Sequence, residues 1–184
     1  MRFEPLEVDG AFLVRPEPRS DDRGWFARVF CAEEFAAKGL EPAVAQVNLA
    51  ATVEAGTVRG LHYQLPPAAE AKLVRCVDGE IFDVVVDTRK WSPSFGRWAG
   101  ATLRADDGLA LYVPSGCAHG YQALTAGARA LYQSSVPYTP DRERGIDHAD
   151  PQLAIAWPLP PRNVSDKDRS LPRLRSAELP DPAT

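Results

Sequence analysis

Three basic side chains of different chemistry lie close together in the stretch GTVRGLHYQLPPAAEAKLV, residues 56–74: Arg59, His62 and Lys72. The residues around them are typical of β-strands, and a charged side chain on a strand is costly to bury unless a partner or a ligand uses it. A histidine titrates near neutral pH, and a neighbouring ammonium stabilises negative charge that develops on a substrate oxygen. The stretch therefore indicates proton abstraction beside a carbonyl group.

The elements that must position these residues are predicted to be strands. Short apolar runs bounded by turn residues recur along the chain, as in AFLV, LVRCV, EIFDVVVD and LALYVP, a pattern typical of all-β proteins. One short helix is predicted, from Cys31 to Lys38, with Gly39 as its stop. We expect a single domain over residues 1–184, with an irregular, Pro-rich segment from about residue 158.

The dipeptide Asp-Gly within LVRCVDGEIFDV, residues 73–84, predicts a two-residue type I′ hairpin between two β-rich runs. In the register of that hairpin, Lys72 is opposite Val85 and Val74 is opposite Asp83. Lys72 and Asp83 are then diagonal neighbours on one face of the hairpin. We therefore expect this lysine and this aspartate to point the same way.

Composition excludes several classes of protein. The 184 residues are 45% hydrophobic and 25% charged, and the net charge of −4 argues against a nucleic-acid scaffold. The first residues, MRFEPLEVDGAFLV, lack the apolar run of a signal peptide, and no stretch reaches membrane-spanning length. We expect a cytoplasmic protein with no nucleic-acid or membrane partner. Cys31, Cys76 and Cys117 lack ligand-like spacing and are expected as reduced thiols in or near the core.

Two segments resemble the motifs of cupins, small β-barrels in which three His and one Glu usually hold a metal. In the first motif His62 matches, but Gln64 and Lys72 occupy the positions of the second His and the Glu. In the second motif His119 matches, and Ala123 replaces the terminal Asn. A catalytic metal needs roughly three protein donors, and an ammonium among them would repel it. We therefore expect a cupin-like barrel, a double-stranded β-helix, without a metal or cofactor.

A narrower resemblance covers nearly the whole chain: the sequence resembles the dTDP-4-dehydrorhamnose 3,5-epimerases. Ten stretches carry the resemblance, in the same order along the chain. They are DDRGWF, QVN, RGLHYQLPP, AKLVRCVDGEIFDVVVD, SPSFGRW, YVPSGCAHGY, ALYQ, ERGI, DP and SDKD.

The resemblance implies a reaction and a role for four residues. His62 matches the general base, oriented by a carboxylate that matches Asp168. Lys72 matches the residue that stabilises the enolate oxygen formed from the C4 ketone, and Tyr132 matches the acid that returns the proton from the opposite face. The implied function is epimerisation of a dTDP-4-keto-6-deoxyhexose at C3 and/or C5, without a cofactor, in deoxysugar biosynthesis.

The resemblance also implies a binding site and an assembly. Arg23 and Arg59 match residues on the nucleotide diphosphate, where a guanidinium can contact oxygens bidentately. Tyr138 is suited to stacking on thymine. The other matching positions in the substrate pocket are Phe26, Gln46, Asn48, His119 and Glu143. The resemblance further implies a homodimer whose N-terminal strands cross between the subunits.

The chain departs from the family pattern at three places. Arg28 stands where the family often has Glu, Leu49-Ala50 replace a polar pair, and Val136-Pro137 replace an Asp-Tyr pair before Tyr138. These departures leave the base, the lysine and the acid unchanged. They leave open which sugar is bound and whether C3 and C5 are both inverted. A 3-epimerase is one alternative, and a non-catalytic nucleotide-sugar-binding cupin and a metal-dependent cupin are two more.

Several of these side chains also have a structural alternative. His119 could equally support the barrel, and Lys72 with Asp83 could form a structural ion pair. Tyr132 could belong to the core, and Arg23 could face solvent in a loop. We expect His148 at the surface.

Overall fold

The computed structural model describes residues 1–181, which form mostly β-strands with a few short helices between them. The strands are β1 (Arg2–Pro5), β2 (Phe12–Arg15), β3 (Arg19–Asp21), β4 (Gly24–Phe26), β5 (Gln46–Ala51), β6 (Val58–Gln64), β7 (Lys72–Asp78), β8 (Glu80–Asp87), β9 (Trp98–Arg104), β10 (Ala110–Val113), β11 (Cys117–Ala123), β12 (Arg129–Ser134) and β13 (Glu143–Gly145). The α-helices are α1 (Ala32–Ala37) and α2 (Asp166–Arg169), and short 3₁₀-helices span Pro140–Arg142 and Leu174–Ser176.

Eleven of the strands form two antiparallel sheets. The first sheet has the order β1-β2-β10-β7-β12-β5, and the second has the order β13-β6-β11-β8-β9. Strands β3 and β4 form a separate two-stranded hairpin. Consecutive strands repeatedly change sheet, as in a jelly roll. The prediction of an all-β, cupin-like fold is confirmed.

Apolar side chains from both sheets meet in one interior cluster. Val74 and Leu111 enter it from the first sheet, and Val85 and Leu103 enter it from the second. All four are fully buried. The sequences of these strands are continuous apolar runs because neighbouring segments cover the outer faces of the sheets as well.

The outer face of the first sheet is covered by helix α1. Its Phe35 is fully buried and packs edge-on against Tyr112. Cys31 and Lys38 cap this helix, and Gly39 follows with φ of 72°. Glycine adopts this left-handed conformation at little cost, so the predicted helix and its stop are confirmed.

The outer face of the second sheet is covered by the C-terminal segment. Leu174 is fully buried there, and Trp157 packs edge-on against Phe82. Beyond residue 157 only helix α2 and one 3₁₀-helix interrupt irregular chain, among the residues described. The segment also carries α2 to the mouth of the barrel, where α2 contributes to the site.

The predicted hairpin between β7 and β8 is wrong. Strand β7 pairs with β10 and β12, whereas β8 pairs with β9 and β11 in the other sheet. Gly79, with φ of 69°, is the corner at which the chain leaves one sheet for the other. A Cβ at Gly79 would lie 2.2 Å from the hydroxyl of Thr125, so this corner packs against the turn between β11 and β12. Each of the two strands pairs with a neighbouring strand on both sides within its own sheet. This long-range pairing outweighs the preference of Asp-Gly for a hairpin turn.

Candidate active site

A cavity of about 720 Å³ opens between the two sheets. Both sheets, the loop after β12 and helix α2 contribute to its wall. The wall contains ten of the twelve residues predicted as site residues: Gln46, Asn48, Arg59, His62, Lys72, His119, Tyr132, Tyr138, Glu143 and Asp168. Residues from distant parts of the sequence thus converge on one interior space.

The register of the first sheet places polar side chains in rows on the cavity wall. Tyr132 of β12 lies opposite Asn48 of β5, and Ser134 lies opposite both Gln46 and Lys72. Because side chains alternate along a strand, residues two apart share a face. Tyr132 and Lys72 are therefore diagonal neighbours on the wall that the first sheet provides.

The second sheet needs an irregularity to present its two basic residues. On β6, Arg59 and His62 are three residues apart, so strict alternation would point them to opposite faces. Their partners on β11 are Tyr121 and His119, which are only two residues apart. The register shift between these pairs is a β-bulge, and it turns both basic side chains into the cavity.

Two glycines allow the bulge to form. Gly60 has φ of 112°, and a Cβ at that position would lie 2.7 Å from the Cα of Gly120 on the neighbouring strand. A side chain at either position would separate β6 from β11. The two glycines therefore contribute to the placement of the histidine that follows.

His62 is tethered to Asp168, which lies 106 residues away in the sequence. His62 Nε2 and Asp168 Oδ1 are 2.8 Å apart, and Asp168 Oδ2 accepts the Gly60 N–H at 3.1 Å. Burial acts to raise the pKa of Asp168, but these hydrogen bonds outweigh burial and hold the pKa below its usual range. An ionised carboxylate can only accept, so Nε2 carries the hydrogen and Nδ1 keeps its lone pair.

Helix α2 holds Asp168 in place. Ser165 caps the helix, and its Oγ accepts the backbone N–H of Asp168 at 3.1 Å. The side chain of Asp168 is only 6% exposed, although it belongs to a loop-rich segment. The cap therefore orients a carboxylate that sequence reasoning could place only by resemblance.

His119 has a buried carboxylate partner of its own. Its Nε2 lies 2.7 Å from Asp83 Oδ1, and Asp83 is fully buried. Burial raises the pKa of Asp83, while the charges of His119 and Lys72 act in the opposite direction. Asp83 belongs to the second sheet and Lys72 to the first, so the two residues are not neighbours on one hairpin face.

Lys72 has a carboxylate partner that the sequence analysis missed. Lys72 Nζ lies 2.9 Å from Glu70 Oε1, and both side chains are about nine-tenths buried. Glu70 also lines the cavity. Its position two residues before Lys72 on an extended chain was the available signal, because such residues share a face.

Burial raises the pKa of Tyr132, and the charge of Glu70 raises it further. The Tyr132 phenol is therefore protonated at neutral pH. It lies on the first sheet, whereas His62 lies on the second. A proton acceptor and a proton donor thus stand on opposite walls of the cavity.

The rim of the cavity carries a network around Glu143. Lys167 donates to Glu143 Oε2 at 2.6 Å, and the Tyr138 hydroxyl donates to the same oxygen at 2.8 Å. Burial acts to raise the pKa of Glu143, but the two hydrogen bonds outweigh it and leave the pKa low. Lys167 is a further basic residue that the sequence analysis missed, although it stands beside Asp168 in the quoted SDKD stretch.

Arg59 is held by neighbours on the cavity wall. Its Nε donates to Thr52 Oγ1 at 3.2 Å, and its Nη2 donates to the carbonyl of Ala51 at 3.1 Å. Thr52 Oγ1 in turn shares a hydrogen bond of 3.0 Å with the Tyr121 hydroxyl. The guanidinium is therefore pre-oriented before any anion binds.

Two predicted site residues do not reach this cavity. Arg23 lies at the turn of the β3–β4 hairpin and pairs with Asp21 at 2.6 Å, with most of its side chain exposed. Phe26 of β4 is 74% exposed. Neither residue lines the cavity of its own chain, so their predicted contribution to a substrate pocket stays a prediction.

Of the residues that depart from the family pattern, some lie at the cavity and others lie away from it. Ala50 lines the cavity, whereas Arg28 lies outside the lining and pairs with Glu34 at 3.2 Å. Val136 and Pro137 are not part of the cavity lining. The Pro137 carbonyl accepts from Gln64 Nε2 at 3.4 Å, so this departure acts through the loop that carries the next residue, Tyr138.

His148 does not lie at the surface as expected, because it is 9% exposed. Trp157 Nε1 donates to the His148 carbonyl at 3.0 Å.

Among residues 1–181, no three His, Cys, Asp or Glu side chains are grouped so that they could hold a metal ion. Over the same range, no helix is long and apolar enough to cross a bilayer.

A family model described as dTDP-4-dehydrorhamnose 3,5-epimerase matches residues 5–176. The chain belongs to the dTDP-4-dehydrorhamnose 3,5-epimerase family. The resemblance inferred from the ten motifs is thereby confirmed, and with it membership in a family of isomerases.

Relatives of this epimerase family include enzymes of more than one kind. A dTDP-4-dehydrorhamnose 3,5-epimerase of Sinorhizobium fredii is 41% identical over 98% of this chain and 92% of its own length. A 4-keto-6-deoxy sugar epimerase from the novobiocin gene cluster of Streptomyces spheroides has a TM-score of 0.92 at 39% identity, covering 100% of this chain and 94% of the other. A 3′-monoepimerase from Streptomyces bikiniensis, solved with dTDP-quinovose, has a TM-score of 0.87 at 40% identity, with coverage of 96% and 91%.

Proposed function

We propose that this chain epimerises a dTDP-4-keto-6-deoxyhexose by removing a proton beside the C4 ketone and replacing it from the opposite face. The observation that carries the proposal is the placement of a tethered His62 and a protonated Tyr132 on opposite walls of one cavity, with Lys72 on the Tyr132 side. Inversion at carbon requires removal on one face and delivery on the other. The pathway served is the biosynthesis of a deoxysugar, either rhamnose or a sugar of an antibiotic.

In the proposed reaction, His62 Nδ1 takes the proton from carbon, and the electrons of the C–H bond form the enolate. The negative charge that develops on the C4 oxygen is stabilised by the Lys72 ammonium. Tyr132 then donates its hydroxyl proton to the opposite face of the same carbon, and the ketone re-forms. Asp168 stabilises the imidazolium that forms in the first step. After the second step, the imidazolium loses its proton to solvent and the Tyr132 phenolate takes one up, which restores the base and the acid.

The substrate's other groups are proposed to meet the rest of the wall. Arg59, held by Thr52, would contact the diphosphate, for which a planar guanidinium is suited. Tyr138 at the rim is half exposed and would stack on thymine. The remaining proposed contacts are Gln46, Asn48, His119 and Glu143.

The direct test is NMR of dTDP-4-keto-6-deoxyglucose in deuterated buffer with the purified chain. We expect deuterium to enter at the carbons that are epimerised, followed by signals of the inverted sugar. A nucleotide-sugar-binding cupin without catalytic activity would bind the compound and leave its protons unchanged. That result would overturn the proposed reaction.

A second candidate is a 3-epimerase, which two observations favour: Ala50 lines the cavity, and Pro137 restricts the chain directly before Tyr138. Both C3 and C5 must reach the same base in turn, and a shift of about 1 Å can cost on the order of 10²-fold at one carbon. We therefore expect faster deuterium entry at C3 than at C5 in a time-resolved NMR experiment. Equal incorporation at the earliest time points would point to an ordinary 3,5-epimerase.

A homodimer with exchanged N-terminal strands is the second part of the proposal. The β3–β4 hairpin exposes Trp25 and Phe26 to 58% and 74%, and the edge strand β5 exposes Val47 and Leu49. Exposed aromatic side chains on a projecting hairpin are typical of a protein interface. We propose that this hairpin reaches a second copy of the chain, where Arg23 and Phe26 complete the partner's cavity.

Co-expression of two inactive variants tests this exchange. We expect Arg23→Ala and His62→Asn each to be impaired alone, and their mixture to recover about a quarter of wild-type activity, because half of the random dimers are mixed and each mixed dimer has one intact site. If Arg23 served its own subunit, every site of a mixed dimer would carry one defect. No recovery would therefore exclude the exchange.

Four further expectations remain proposals. They are the single domain over residues 1–184, the cytoplasmic location, the independence from metal and cofactor, and the absence of nucleic-acid and membrane partners.

A further inference from the structure

Glu70 is a buried carboxylate that the proposed mechanism does not use. It lies on the cavity wall, is one-tenth exposed, and contacts Lys72 Nζ at 2.9 Å. A negative charge beside the ammonium that stabilises an enolate opposes that stabilisation. Its presence in the cavity therefore calls for a role that offsets this cost.

Lys72 has a second carboxylate within its influence. Burial raises the pKa of fully buried Asp83, and the charge of Lys72 acts in the opposite direction. Asp83 Oδ2 finds no hydrogen-bond partner within residues 1–181. Of these two carboxylates, only Glu70 forms an ion pair with the Lys72 ammonium, at 2.9 Å, within the same range. Glu70 is the one that holds it against the cavity wall.

We propose that Glu70 is a positioning residue of the epimerase: its carboxylate holds the Lys72 ammonium at the cavity wall, where the ammonium meets the developing enolate oxygen. The proposal rests on the proposed function through the role of Lys72.

Kinetics of two variants test the anchoring role. In Glu70→Ala the ammonium loses its anchor, and we expect kcat for exchange at C3 to fall by about 10-fold or more, with KM nearly unchanged. Glu70→Gln keeps an oxygen acceptor for Lys72 and should recover at least about 3-fold of that loss. Glu7→Gln, an exposed carboxylate outside the cavity, is the matched control.

A wild-type kcat in Glu70→Ala would overturn the anchoring role. A loss confined to KM would do the same, because it would identify a substrate contact and not a positioning residue. Failure of Glu70→Gln to exceed Glu70→Ala would equally contradict the role of the acceptor oxygen.

Chemical modification of Lys72 tests the anchor without substrate. Mass spectrometry of the peptide that contains Lys72 gives the rate of its reductive methylation. We expect this rate to rise by about 3-fold or more in Glu70→Ala, the scale of a lost ion pair, and to stay at the wild-type value in Glu7→Gln. An unchanged rate in Glu70→Ala would overturn the anchoring role. If the wild-type chain showed no exchange at all, the proposed function would fail, while the methylation rate would still decide whether Glu70 holds Lys72.

Discussion

Replacing His62 with asparagine is expected to abolish measurable deuterium exchange at C3 and C5, a loss on the order of 10²- to 10⁴-fold for removal of a general base. The His62 imidazole presents a basic nitrogen to the cavity while its Nε2 is held by Asp168, whereas an asparagine amide has no basic nitrogen. An asparagine amide can still donate to Asp168, so we expect the fold to be retained. The base acts in the transition state more than in binding, and the affinity for dTDP should stay close to that of the wild type.

Two measurements check this expectation. NMR in deuterated buffer gives the exchange rate of His62→Asn and His62→Ala, and calorimetric titration with dTDP gives the affinity of each variant. Near-normal affinity with no exchange supports the assignment of the base. Exchange at the wild-type rate in either variant would rule it out.

Replacing Asp168 with asparagine is expected to lower the exchange rate by about 10³-fold, because it reverses the tautomer of His62. The buried N–H of Gly60 donates to Asp168 Oδ2, so the amide oxygen of an asparagine would take that position. The amide NH₂ would then face His62 Nε2 and require a lone pair there. The hydrogen would move to Nδ1, and the nitrogen that must accept the substrate proton would be blocked.

A neighbouring carboxylate provides the control for this variant. Asp166→Asn removes the same charge from the same helix, but Asp166 pairs with Arg169 and does not line the cavity. We expect it to keep the wild-type exchange rate. If Asp166→Asn lost as much activity as Asp168→Asn, the effect would come from the charge of the helix and not from the tautomer of His62.

Local sequence patterns were sufficient for the fold class and for some of its elements. The apolar runs became strands because β-branched and aromatic side chains pack well on a pleated surface. Helix α1 ends at Ala37, and Gly39 stops the chain from continuing as helix, as predicted, because the left-handed conformation of that residue favours glycine. Motif spacing identified the family, and ten of its twelve predicted site residues line one cavity.

The hairpin prediction failed where a local signal competed with long-range pairing. Asp-Gly is a strong turn signal, but the strand before it pairs with two strands of the first sheet, and the strand after it pairs with two strands of the second sheet. The many hydrogen bonds and buried side chains of those ladders outweigh the preference of a single dipeptide. The same pairing places Lys72 and Asp83 on different sheets.

The sequence by itself determined the chemical groups of the site: a histidine, a lysine, a tyrosine and arginines at family spacing. Only the tertiary structure decided how these charges pair. It paired Lys72 with Glu70, and it carried Asp168 across 106 residues to His62. It also left Arg23 outside the cavity of its own chain. The physical reason is that charges pair by distance in space, and in an all-β fold sheet pairing between remote segments sets those distances.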